Sequence, residues 1–145
     1  MNEKQSYMII TLCGSTRFQN EFQSAANALS LNNYIVLMPH VFSHYTGTKP
    51  SKDVCEKLGK LHIAKIDMSD AIMVINKEGY IGESTKEEIE YAKKQGKDVY
   101  YRYIFCNKDC KNKDKCKIKK ITIPYKIKYI DKYPNCPYSV ITSNG

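Results

Sequence analysis

Four short stretches of this 145-residue chain hold the residue types and spacings that could do chemistry. The stretch Gly79-Tyr80-Ile81-Gly82-Glu83-Ser84-Thr85-Lys86-Glu87-Glu88-Ile89-Glu90-Tyr91-Ala92 places four carboxylates within eight residues. If it is a helix start, Ile89 and Ala92 must face inward, and Glu83, Glu87 and Glu90 can face solvent. Glu88 then falls at the border of the buried face and looks toward a cleft. A carboxylate there can act as nucleophile or base. An early helical Glu can equally serve only to offset the helix dipole. The second stretch, Cys13-Gly14-Ser15-Thr16-Arg17, lets the backbone turn sharply at Gly14. Backbone N–H groups, the Ser15 hydroxyl and the Arg17 guanidinium would form an anion cup. The plainer reading is a turn in which Ser15 caps the next helix. It is neither a Walker loop nor a dinucleotide fingerprint, which need further Gly or Lys residues. His40 and His44 lie four apart with no third metal ligand at suitable spacing nearby. Asp67 and Asp70 precede an apolar run, and Asp70 either caps a turn or reaches the cleft.

These residues need elements to position them, and the first hundred residues alternate strand and helix patterns. Residues 7–12 and 34–38 are short apolar, β-branched runs, and residues 69–76 contain Ala-Ile-Met-Val-Ile. Residues 99–105 read as a fourth, Tyr-rich strand. Between them, residues 18–31 repeat Phe18, Phe22, Ala25, Ala26 and Leu29 at helical spacing, and Asn32-Asn33 stops the pattern. Residues 51–68 put Val54, Leu58, Leu61 and Ala64 on one face. Residues 84–95 form a third helix with Ser84 and Thr85 as candidate caps and Gly96 just past its end. The alternation implies βαβ crossovers: an α/β, flavodoxin-like or Rossmann-like three-layer sandwich on a parallel sheet. Ligands of such sheets sit beyond the C-terminal strand ends. The loops leaving those ends hold most of the residues above.

The last third is different. Residues 1–98 carry twelve Lys/Arg and twelve Asp/Glu, so the whole net charge of +8 lies in residues 99–145. The chain therefore divides into an α/β domain, residues 1–105, and a basic, Cys-rich extension, residues 106–145. Cys106, Cys110, Cys116 and Cys136 are four soft donors in a Lys-rich segment without a core. A thiolate cluster holding structural zinc would order it. The alternative is a solvated basic loop. Lys interleaved with Tyr125, Tyr129 and Tyr133 could contact nucleic acid, but charge runs are more often solvated faces. Residues 121–130 alternate apolar and basic residues as one more strand would. The longest apolar runs are too short to span a bilayer. The polar N-terminus does not read as a signal peptide, so the cytoplasm is the expected compartment and thiols are expected over disulfides.

Joined together, Cys13-Gly14-Ser15-Thr16-Arg17, Val36-Leu37-Met38-Pro39-His40, Asp70 ahead of the third strand, and Glu88-Ile89-Glu90-Tyr91-Ala92 resemble a known group. The chain is similar to the nucleoside 2-deoxyribosyltransferase superfamily, nearest in motifs to its 2′-deoxynucleoside 5′-phosphate N-hydrolase branch, over residues 7 to about 103. The resemblance implies Glu88 as the nucleophile that attacks the anomeric carbon and displaces the base. It implies Asp70 as a second catalytic residue, and Gly14, Ser15, Arg17 and Ser84 around a 5′-phosphate, with His40 also at the substrate. A family carboxylate that lies eight residues before the third-strand Asp corresponds to His62. The implied partners are a small-molecule nucleotide or nucleoside and a second copy of the chain in a homodimer. No cofactor is implied for catalysis. An oxocarbenium-like transition state beside a carboxylate suits this chemistry. The alternative is a Rossmann-like sensor or effector module that binds a nucleotide-derived signal or cleaves NAD. A pure binding module would keep Arg17 and Ser15 and could dispense with Glu88.

Overall fold

The computed structural model describes residues 6–40, 49–106 and 126–129. In chain order the elements are β1 (Ile9–Cys13), α1 (Gln19–Leu31), β2 (Ile35–Leu37), α2 (Lys52–Met68) and β3 (Ala71–Val74). A 3-10 turn (Lys77–Gly79), α3 (Glu83–Lys94), β4 (Asp98–Tyr101), β5 (Tyr103–Cys106) and β6 (Lys126–Tyr129) follow. β1 to β4 form one parallel sheet in the order β2-β1-β3-β4.

A parallel sheet must be covered on both faces, so its central strands read as continuous apolar runs rather than alternating ones. β3 is buried at all four positions, Ala-Ile-Met-Val. Phe22, Ala25 and Leu29 of α1 pack on one face with Ile10, Leu12, Met73 and Ile75. Ile66 of α2 and Ile89 and Ala92 of α3 pack on the other with Cys13, Ile72, Val74 and Val99. Helix, sheet, helix is the three-layer α/β sandwich expected, with the strand order of a flavodoxin-like fold. The chain runs outward from β1 in one direction to β2 and in the other to β3. The crevice beyond their C-terminal ends is the switch point where such sheets bind ligands.

Local chemistry explains the helix ends. After α1, Asn33 takes a left-handed conformation, φ 68°. This allows Tyr34 N–H to bond Leu29 C=O and Asn33 N–H to bond Ser30 C=O. α3 closes the same way with Gly96, φ 72°: Lys97 N–H reaches Ala92 C=O and Gly96 N–H reaches Lys93 C=O. Both are Schellman closures that satisfy otherwise orphaned carbonyls. At its start, α2 is capped by Ser51, whose hydroxyl accepts from Val54 N–H at 3.3 Å.

Four expectations about these elements are corrected. Ser84 and Thr85 do not cap α3. The helix begins earlier, after the extended Gly82, and has no side-chain cap. Ser15 likewise does not cap α1, whose cap position is Phe18. The apolar stripe of α2 does not face the sheet: its buried residues are His62 and Ile66. Val54 and Leu61 are 41% and 52% exposed. Only the C-terminal half of this helix lies over the sheet, and the half before it overhangs the crevice. The fourth strand is not continuous over residues 99–105 but breaks at Arg102. Beyond the break, the Asn76 side chain replaces a strand backbone. Its Oδ1 accepts from Tyr103 N–H at 3.0 Å and its Nδ2 donates to Tyr103 C=O at 2.8 Å. β5 then pairs in parallel with β6 as a separate two-stranded sheet. β6 falls inside the strand expected at residues 121–130.

Candidate functional site

Cys13 is the last residue of β1, pointing to the face covered by α2 and α3. His62 comes from the sheet-facing side of α2, and Glu88 from the second turn of α3. The three meet at the switch point. Cys13 Sγ lies 3.3 Å from His62 Nε2, and the same Nε2 lies 3.5 Å from Glu88 Oε2. Cys13 and Glu88 thus converge on one imidazole nitrogen. A nucleophile–His–acid relay would use both ring nitrogens, one for each partner. His62 Nδ1 is instead buried without a hydrogen-bond partner, as is Glu88 Oε2. Burial first, and the neighbouring Glu88 carboxylate second, push the Cys13 thiol well above the usual thiol range. It is therefore protonated at neutral pH, and the thiolate a Cys nucleophile needs is absent.

Glu88 is the chemically available member of this trio. Its side chain is 20% exposed. It forms a wall of a cavity of about 310 Å³ together with Thr16, His40, Cys55, His62, Lys65 and Ser84. This is the lower end of the size range of small-molecule sites. A shallower cleft of about 600 Å³ adjoins it on the other side of Glu88 and Ser84. Lys65 donates to Met38 C=O at 2.9 Å, and burial lowers its pKa. It brings a cationic group to the cavity wall without pairing with Glu88.

The loop after β1 is anchored by packing. A Cβ on Gly14 would stand 3.0 Å from Ile75 O and 3.1 Å from Ile75 Cβ, so only glycine lets the loop lie this close to the end of β3. Arg17 then stacks on Tyr80, 4.0 Å from its ring centroid, and Tyr80 and Phe18 meet edge to face at 5.9 Å. The Tyr80 hydroxyl in turn lies beside Gly82, since a Cβ there would be 3.4 Å from it. The Arg17 loop and the start of α3, with Ser84 in its first turn, are thereby held side by side.

Of the site residues expected from the sequence, the cavity gathers Glu88, His40 and Ser84. Gly14, Ser15 and Arg17 belong to the adjoining loop, and Thr16 is its member that reaches the cavity. Asp70 is not brought to the site. It lies ahead of β3, at the N-terminal end of the strands, opposite the crevice. Its Oδ2 accepts from Ile9 N–H at 2.8 Å while its own N–H donates to Ile9 C=O. Asp70 thus clamps the start of β1 and is a structural residue. Asp67 accepts from the Tyr91 hydroxyl. His44, Cys110, Cys116 and Cys136 lie outside the described residues, as does the side chain of Cys106, so the expected zinc cluster lies outside them too. His62 and Cys13 were not picked out as site residues. The available signal was the motif register, which set His62 where relatives of the resembled group carry an acid. Among the described residues, Cys13, His62 and Glu88 are also the group whose donor atoms could hold a metal, all lying within 4.8 Å of one another. No described helix is long and apolar enough to cross a membrane.

The sheet order and the crevice make this an α/β protein with a cavity at the switch point of a flavodoxin-like layout. No protein-family model matches the chain, and a search of curated proteins returns no match.

Proposed function

We propose that the protein is an N-glycosidase or deoxyribosyltransferase acting on a (deoxy)nucleoside 5′-monophosphate through Glu88. The observation that carries this reading is the Glu88 carboxylate. It stands on the wall of a ligand-sized cavity at the switch point, 20% exposed, with its Oε2 buried beside His62. A carboxylate used only to offset the dipole of α3 would sit in solvent, as Glu83 does at 87% side-chain exposure.

A Glu88 oxygen attacks the anomeric carbon, the C–N bond to the base breaks, and its electron pair leaves with the base, which takes a proton. His40, on the cavity wall, can supply that proton. Water then attacks the same carbon, the sugar–Glu88 bond breaks, and the water proton returns to solvent or to His40. A second base in place of water gives transfer instead of hydrolysis. His62 Nε2 lies beside the carboxylate, 3.5 Å from Oε2. The start of α3, Ser84 and Arg17 form the side on which a 5′-phosphate would rest, supplying binding energy that orients the sugar.

Incubation with a panel of deoxynucleoside monophosphates, ribonucleotides and NAD, with released base measured by chromatography, tests the reading. Wild-type protein releases base from a monophosphate, and Glu88→Gln slows this by at least roughly a thousandfold while keeping the fold. Unchanged turnover in Glu88→Gln removes Glu88 as nucleophile. Release of nicotinamide alone selects the NAD-cleaving alternative.

A further inference from the structure

We propose that Cys13, His62 and Glu88 form a three-ligand site for a zinc-class divalent ion, its fourth position open to the cavity, and that a bound ion silences the protein by occupying the Glu88 carboxylate. The silencing, though not the binding, rests on Glu88 being the nucleophile. Sulfur, imidazole nitrogen and carboxylate oxygen are the donor set of zinc. Ordinary zinc bond lengths in a tetrahedron set donor–donor edges of about 3.5 Å for S···N and about 3.4 Å for N···O. The corresponding edges here are 3.3 Å and 3.5 Å.

The third edge, Cys13 to Glu88, is within 4.8 Å. It closes by rotation of a carboxylate whose Oε2 no hydrogen bond restrains. Cys13 and Glu88 share the single Nε2, and His62 Nδ1 and Glu88 Oε2 are left without a hydrogen-bond partner. One ion satisfies all three donors together. His62 and Glu88 both line the 310 Å³ cavity, so an ion enters from there, the Cys13 thiol releases its proton to solvent, and a water fills the open position. Three protein ligands with one open position is the arrangement of an accessible zinc site, not of a closed structural one.

The test is a Co²⁺ titration of the full chain with Cys55, Cys106, Cys110, Cys116 and Cys136 replaced by Ser, which leaves Cys13 as the one thiol. The expected result is one equivalent of Co²⁺ bound, with tetrahedral visible bands, a single-thiolate charge-transfer band in the near ultraviolet, and displacement by Zn²⁺. Cys13→Ser removes the charge-transfer band, and His62→Ala and Glu88→Gln each weaken binding at least tenfold. Circular dichroism checks the fold of each variant. If the fivefold Ser replacement perturbs the fold, the loss of one thiolate's intensity on Cys13→Ser in the otherwise unchanged chain gives the same answer. No charge-transfer band attributable to Cys13 at saturating Co²⁺ overturns the site. In the activity arm, one equivalent of Zn²⁺ suppresses base release and a chelator restores it. Binding at Cys13 without inhibition keeps the site and overturns the silencing.

Discussion

Two glycines, one wedged and one open, give a matched pair of opposite substitutions. In Gly14→Ala the new methyl would meet Ile75 O at 3.0 Å, Ile75 Cβ at 3.1 Å and Phe22 Cζ at 3.4 Å. The first two belong to the end of a fully buried strand and cannot swing away, so the loop or the strand must shift. Forcing a methyl into packed surroundings costs about 1–3 kcal/mol. Gly59 is in the middle of α2 with nothing within 4 Å of an added Cβ. Alanine there removes backbone freedom from the unfolded chain and stabilises by about 0.5–1 kcal/mol. Urea denaturation followed by far-ultraviolet circular dichroism measures both, with the slope unchanged and only the midpoint moving. The melting temperature of Gly14→Ala should fall by roughly 4–12 °C and that of Gly59→Ala should rise by roughly 2–4 °C. Since the Gly14 loop also leads to Thr16 and Arg17, Gly14→Ala should weaken ligand binding beyond its effect on stability. Equal stability of Gly14→Ala and wild type would mean the loop has slack. The anchoring argument for the Arg17 side of the site would then fail.

Arg17→Ala should weaken a nucleoside monophosphate by about 1.5–3 kcal/mol while hardly changing the matching nucleoside. Calorimetry of both ligands decides, and equal losses would argue that Arg17 only stacks on Tyr80. Asn76→Asp keeps the acceptor for Tyr103 N–H but turns an oxygen toward Tyr103 C=O in place of a donor. It should destabilise by about 1–3 kcal/mol in the same urea assay. A change inside about 0.5 kcal/mol would mean that the Asn76 bridge does not hold β5 in solution.

The fold was legible because parallel sheets leave a strong trace. The all-apolar run of β3 and the stripe Phe22, Ala25 and Leu29 of α1 admit one reading each. The face of α2 was not legible, because periodicity counts apolar residues and the helix buries His62 against Cys13 and Glu88 instead. Val54 stays outside because that end of the helix has no sheet beneath it, and Leu61, next to buried His62, faces the cavity instead. The break after β4 was hidden for a different reason: the partner of Tyr103 is an Asn side chain, and strand propensity does not encode such a substitute. Glu88, His40 and Ser84, singled out with the help of the resemblance, line one cavity because the elements that carry them meet beyond the C-terminal strand ends. Asp70 misled although its place ahead of a parallel strand already puts it at the N-terminal end of the sheet, away from the crevice. Cys13 and His62 meet between β1 and the helix packed over it, and nothing local marks them.

The convergence of Cys13, His62 and Glu88 has a consequence for how the protein comes into being. Cys13 and His62 are 49 residues apart, and the β1 clamp by Asp70 spans 61. Lengthening such loops adds little entropy, about 0.6 kcal/mol per doubling. Long separation nevertheless delays contacts, because parallel pairings must wait for their crossovers. No fragment ending before α3 contains the trio, and no local helix or hairpin preorganises any pair of it. During refolding, helical signal should therefore return first, and the site should be completed only with the full β1-β3-β4 core. Regained site chemistry would then time the completion of the whole sheet rather than the formation of any one element.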